Sequence, residues 1–169
     1  MEQILQNYCN IQKINNYEII FIHYKYLRQI LNSCGDTVPS QIYAVVLQKL
    51  IDTIDDVLIG NPEFTLNVFM KDIVLKDVHR HSSFIRQMAE IMRTRYQDKL
   101  KICYIHQAPF VFQQVFAIIN PFLDSKTKKK IIVTDNKSLD ENDLESIRNT
   151  LEMYAVPEIS VPATSEYDY

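Results

Sequence analysis

The sequence predicts a single α/β domain, built on a mostly parallel or mixed five-stranded sheet with helices flanking it. Three observations carry that reading. Short runs of β-branched and aromatic residues alternate with longer segments of helical periodicity, the order that produces βαβ units. With 169 residues, 47% of them hydrophobic, the chain is long enough for one buried core and most simply forms one domain. Glycine occurs only twice, at Gly35 and Gly60, so the Gly-rich phosphate cradles of P-loop and dinucleotide folds are excluded.

Taken in order, "YEIIFIHY" (17–24) reads as the first strand. Ser40 is placed to cap a helix in which Ile42, Val46, Leu50, Ile54 and Leu58 recur at four-residue spacing, with Gly60 as its stop. "FTLNVFMKDI" (64–73) reads as a second strand. Phe84, Met88, Ile91, Met92 and Arg95 then mark one helical face, with Arg86, Glu90 and Arg93 toward water. "KICYIHQ" (101–107) and "KKIIVTD" (129–135) are the third and fourth strands. "DENDLESIRNTLEM" closes as an amphipathic helix with Leu144, Ile147 and Leu151 inward. "VPEISV" is the expected last edge strand, where Pro157 leaves no ladder hydrogen bond unmade.

Composition narrows the function. A net charge of −3 makes no global case for nucleic acid, so any anion site must be local. Cys9, Cys34 and Cys103 are odd in number and lack C-x-x-C spacing, which points to reduced thiols of a cytosolic protein rather than a disulfide scaffold or zinc knot. "MEQILQNYCN" has neither a basic nor an apolar leader region, so no signal peptide is expected. No apolar run approaches the ~20 residues that span a bilayer, so any membrane contact is expected to be peripheral.

The most informative stretch is Ala108 to Val133, "APFVFQQVFAIINPFLDSKTKKKIIV". Phe112, Val115, Phe116 and Ile119 make an i, i+3, i+4, i+7 stripe over a helix from Val111 to Leu123. Ile118, Phe122 and Leu123 widen it until only Gln113, Gln114 and Asn120 are polar. Such a helix is buried on most sides, or faces protein on one side and a ligand or lipid on the other. Pro121 should end or bend it. Beyond it, Lys126, Lys129 and Lys130 share one face if "SKTKKK" is helical, with Lys99 and Lys101 flanking the preceding strand. From Lys99 to Lys130 there are six lysines and one acid; from Asp135 onward there are nine acids and two bases. Converging ammonium groups suit a phosphorylated headgroup, and a solvated helix end explains the same residues.

Other clusters carry less. "HRH" (79–81) supplies two imidazoles where a metal needs three or four ligands. His23 and His106 sit in expected strands, with His106 a candidate to face a cavity. Asp55-Asp56 lie in a helix, "DENDLE" lacks the glycine of a calcium loop, and Ser82-Ser83 have no nucleophile elbow. Neither an enzyme nor a cofactor or metal is expected.

"ICYIHQAPFVFQQVFAIINPFLDSKTKKKIIV" resembles the signature of the CRAL-TRIO lipid-binding family, which includes phosphatidylinositol transfer proteins and tocopherol and retinaldehyde carriers. "NVFMKDIVLKDVHRHSSFIRQMAEIMRTRYQDKL" resembles the strand, helix and turn that come before it in that family. The resemblance runs from Tyr17 to about Val161, leaving 1–16 as an extension and 162–169 as an acidic tail. It implies an apolar cavity over the sheet, closed by a gate helix. Phe112, Val115, Phe116, Ile119 and Leu123 match the gate, and Tyr104 and His106 are the strand residues expected at the lipid. Lys99, Lys101, Lys126 and Lys130 match basic positions that grip a phosphoinositide headgroup. The implied ligand is a phospholipid or other lipid, met at a peripheral membrane surface from the cytoplasm.

The sequence also departs from the pattern. Only 16 residues stand before Tyr17, where the family has a helical lobe. "YAVPEIS" replaces a glycine-containing ending, Asn120 stands where a lysine precedes "PFL", and His106-Gln107 replace "IN". These features resemble a divergent branch of the family in which protein contacts are prominent, so a small GTPase or its regulator is the alternative partner.

Overall fold

The structure is a computed structural model and describes residues 1–134 together with Glu145 and Asn149. The chain divides into residues 1–139 and 140–169, and the elements below all lie in the first unit. In the second, Glu145 and Asn149 are helical and exposed. The remainder of the expected closing helix, and the edge strand "VPEISV", lie outside the described residues.

A five-stranded sheet has the order β1-β2-β3-β4-β5, so sequential strands are spatial neighbours. Its members are β1 (Cys9–Ile14), β2 (Tyr17–His23), β3 (Phe64–Phe69), β4 (Leu100–His106) and β5 (Ile131–Val133). The β1–β2 pair is antiparallel and joined by a tight turn at Asn15-Asn16, both in the left-handed region that Asn tolerates. The other three pairings are parallel, each requiring a helical crossover. The sheet is therefore mixed, as expected, and its edges among the described residues are β1 and β5. Residues 1–16, read as an extension, form the helix α1 (Glu2–Tyr8) and β1. Cys9 is fully buried there.

The crossovers explain the remaining elements. Between β2 and β3 run α2 (Tyr24–Asn32) and α3 (Ser40–Gly60). No element had been expected over α2; its Tyr24, Leu27, Ile30 and Leu31 are all buried. Along α3, Val46, Leu50, Ile54 and Val57 are buried, a stripe that keeps the four-residue spacing read from sequence. The cap position is Pro39 rather than Ser40, whose hydroxyl bonds Gln41 instead. After β3, the left-handed Asp72 turns the chain, so the strand stops at Phe69 rather than running to residue 73. The short α4 (Leu75–Arg80) and α5 (Ser82–Arg95) lead back to β4.

Parallel strands buried on both faces read as near-continuous apolar runs, which is why "EIIFIH" and "KICYIH" do not alternate. The pleat still separates their residues. Ile20, Leu66, Cys103 and Ile105 join α3, α5 and the Phe112 segment in one core. The alternate positions Phe21, Asn67, Phe69, Tyr104 and His106 take the opposite face and are also buried. Ile54, fully buried in the core, gives a measure of packing: Ile54→Val should cost about 0.5–1.5 kcal/mol in a urea titration. A smaller loss would mean that the surroundings collapse onto the missing methyl.

Candidate functional site

On the α3 face of the sheet lies a cavity of about 810 Å³. Its floor is Ile22, Leu66, Val68, Cys103 and Ile105 from β2, β3 and β4. One wall is α5, which contributes Phe84, Ile85, Met88, Ala89 and Met92. Helix α6 (Phe112–Ile119) closes another side with Phe112, Val115 and Ile119. Pro121 does end the α-helix: Asn120–Phe122 is a 3-10 turn, and Phe122 and Leu123 from this stretch complete the lining. Four of the five expected gate residues thus line the cavity. Phe116 does not; it packs against the core with its ring 6.4 Å from that of Phe112. A stripe four residues wide on so short a helix must turn one side chain toward protein, and Phe116 is that one.

Tyr104 and His106 are placed differently from the expectation. Cys103 and Ile105 face the cavity, so the two-residue period of the strand turns Tyr104 and His106 to the other side. His106 is fully buried there, with Nε2 2.7 Å from Asn67 Oδ1 and Nδ1 3.1 Å from Thr134 Oγ1. Its ring stacks on Phe69 at 4.8 Å. Burial pushes the imidazole down to about 4, so it is neutral at pH 7. His106 is a buried core histidine of the opposite face and does not line this cavity. Asn67 Nδ2 is buried beside it without a partner among the described residues.

The lysines separate into two groups. Lys126, in α7 (Ser125–Lys128), pairs with Asp98 at 2.7 Å, a hydrogen bond that raises its pKa. Lys130 donates to the Leu100 carbonyl and also lines the cavity. Both ammonium groups therefore return to the turn that carries Lys99, at the rim where Arg93, Asp98, Asp124 and Thr127 also lie. The Asp124 carboxylate caps α7 by accepting from Thr127 N. Lys101 is apart from this group: it sits over the Tyr17 ring, 5.9 Å from its centroid. A register shift where Phe64 pairs with Leu100 and Thr65 with Ile102 leaves Lys101 as the extra residue, which accounts for its different direction.

A second polar cluster lines the cavity and was not anticipated. Tyr24 Oη donates to Asp77 Oδ2 at 2.7 Å, and Arg28 Nε lies 3.0 Å from the same oxygen. His81 Nδ1 lies 2.8 Å from Tyr43 Oη. Asp77 and His81 are 7% and 6% exposed, and both line the cavity together with Tyr24. Burial lowers the pKa of His81 and raises that of Tyr24. The two imidazoles of "HRH" thus separate, His79 exposed and His81 buried. The available signal was the i, i+4 spacing of Asp77 and His81, which sets both on one helical face. The arrangement is an apolar chamber along α5, whose 14 residues run about 20 Å, with polar groups at both ends. Among the described residues no helix is long and apolar enough to cross a membrane.

Known proteins match both the sequence and this architecture. The CRAL-TRIO domain-containing protein YKL091C of Saccharomyces cerevisiae is 33% identical over 64 residues, covering 38% of this chain and 21% of that protein. The Sec14 cytosolic factor of Schizosaccharomyces pombe is 34% identical over 62 residues, 37% of this chain and 22% of its own length. This chain thus matches about a fifth of each relative. The crystal structure of Sfh5 superposes with a TM-score of 0.64 at 19% identity, covering 80% of this chain and 50% of that one, a likeness of fold. The CRAL/TRIO domain family model matches residues 38–154, more than half of the sequence. The chain belongs to the CRAL/TRIO domain family.

Proposed function

We propose that this protein binds a phospholipid or other hydrophobic ligand in the cavity beneath α6 and carries or senses it at an anionic membrane surface. The observation that carries the reading is the chamber itself. Its volume lies within the ~300–1,000 Å³ of small-molecule sites, and its floor and walls are aliphatic and aromatic. Such a space is costly to leave as exposed apolar surface and gains about 0.8 kcal/mol for each methylene it takes from water. Delipidated protein mixed with phospholipid vesicles and then examined by native mass spectrometry should show one bound lipid per chain. Only the bare protein mass would overturn the reading.

The membrane contact is assigned to the rim of Lys99, Lys126 and Lys130, with the exposed Lys128 and Lys129 on the same segment. Lys101 belongs to the original set of four, and its position over Tyr17 supports the weakest contribution among them. Each basic residue near an anionic surface contributes about 1 kcal/mol, screened by salt over a Debye length. Lys126→Gln with Lys130→Gln should therefore weaken binding to phosphoinositide-containing vesicles about tenfold, with a salt dependence that the double variant loses. Binding to neutral phosphatidylcholine vesicles should not change. Equal losses on both vesicle types would remove the headgroup role while leaving the cavity untouched.

A further inference from the structure

The segment that carries the lysine rim also carries two hydroxyls, and the fold separates them. Thr127 is half-buried and lines the chamber, with its amide held by the Asp124 carboxylate at 2.6 Å. Ser125 is exposed, does not line the chamber, and its hydroxyl takes no partner among the described residues. No residue of α7 is buried, and its backbone bonds span a single turn, from Lys128 N to Asp124 O and from Lys130 N to Thr127 O. One turn outside the core opens at little cost. An enzyme that takes its substrate as an extended segment can therefore reach Ser125.

The neighbouring charges specify the modifying group. Residues 124–130 hold four lysines against one acid, a surplus of three positive charges. Lys126 is held by Asp98 and Lys130 by the Leu100 carbonyl. Lys128 and Lys129 are exposed and take no partner among the described residues. Lys129 keeps the helical conformation, so these two stand at i+3 and i+4 from Ser125, the spacing at which side chains on a helix meet. A dianion on Ser125 would be paired at once by two ammonium groups.

We infer that Ser125 is a phosphorylation site, and that its phosphate switches off the hold of the lysine rim on anionic membranes. In the transfer, Ser125 Oγ forms a bond to the γ-phosphorus of ATP, the bond from that phosphorus to the ADP oxygen breaks, and the hydroxyl proton leaves to the base of a protein kinase. The product adds a charge of about −2, which cancels two of the three surplus charges and turns Lys128 and Lys129 away from headgroups. The inference rests on the membrane-rim reading above and deepens it by adding its regulation. Membrane contact is lost while the enclosed lipid stays.

Two measurements on the full chain test this. Incubation with a panel of basophilic serine/threonine kinases and ATP, followed by peptide mass spectrometry, should place phosphate on Ser125 and none on this segment in Ser125→Ala. Phosphate on Thr127 instead, or none within 124–130, overturns the site. The chain with phosphoserine installed at Ser125 by amber suppression is then titrated with phosphatidylcholine vesicles, with and without a phosphatidylinositol monophosphate. Binding to the phosphoinositide vesicles should fall about tenfold or more, as for the loss of two lysines. Binding to neutral vesicles should not change, Ser125→Ala should bind as the unaltered chain does, and native mass spectrometry should still show the bound lipid. Undiminished binding of the phosphorylated chain, against an intact preference of the unaltered chain for phosphoinositide, would sink the switch alone. Loss of the bound lipid together with vesicle binding would sink it too, because the phosphate would then be disrupting the fold. If the unaltered chain shows no preference for phosphoinositide vesicles, the rim reading falls and the switch with it.

Discussion

Ile119→Asp should lower lipid affinity about a thousandfold while the protein remains folded. Ile119 lines the cavity from the last turn of α6 and is only half-buried in the protein. Its replacement therefore leaves the carboxylate hydrated in the empty protein and desolvated once a hydrocarbon chain lies against it. Burying an unpaired carboxylate, or protonating it to avoid that, costs several kcal/mol, and about 1.4 kcal/mol is a factor of ten. The contrast is Phe116→Asp, where the side chain packs against the core rather than the chamber. That variant should lose stability first, and with it everything else. Lipid titration monitored by native mass spectrometry, with urea melts of both variants, separates the two. Undiminished binding by a folded Ile119→Asp chain would mean that α6 is not the wall of the ligand site.

Acid should unfold the protein partly through His106. Its folded pKa of about 4 lies below the ordinary value of 6.5, so between these limits the unfolded chain binds the proton and the native chain does not. Stability is then complete above pH 6.5 and falls as pH drops toward 4. The gap corresponds to about 3 kcal/mol. Geometry gives the reason. With Nε2–H donating to Asn67 Oδ1, Nδ1 accepts from the Thr134 hydroxyl, so the neutral ring satisfies both contacts. A second ring proton would enter a site that excludes water and holds no compensating carboxylate among these partners. Urea melts at pH 7 and pH 4 should show His106→Gln losing about 3 kcal/mol less than the parent over that interval. The comparison cancels the acid titration of carboxylates common to both. Equal losses in the two proteins would show that His106 does not carry the effect. His81, also lowered by burial, acts in the same direction.

Much of the architecture was legible because period and propensity are local properties. Val46, Leu50 and Ile54 repeat every four residues, and burial of that stripe is the only way a 21-residue helix can lie on a sheet. Pro121 cannot supply the amide a helix needs and ended α6 where expected. The edge strand β1 was missed because "CNIQKI" mixes polar and apolar residues. An edge strand carries little apolar signal, and its identity comes from pairing with Tyr17–His23. Helix α2 was missed because nine residues directly after a strand leave too short a window for a period to emerge.

The sequence by itself determined the α/β class, the parallel core strands and the apolar segment from Phe112 to Leu123. Each follows from backbone chemistry and side-chain periodicity within one element. Only the tertiary structure decided which side chains share a space. A single strand shows that Cys103 and Ile105 differ in face from Tyr104 and His106, but not which face is hollow. That depends on α3, α5 and α6 arriving on the same side. Likewise, Tyr24, Arg28, Tyr43, Asp77 and His81 come from four elements or their junctions, so the i, i+4 spacing of Asp77 and His81 pairs those two but does not announce the partners they meet. Lys101 leaves the other lysines because one residue of register slips between β3 and β4, an event set by the pairing of two strands and invisible in either alone.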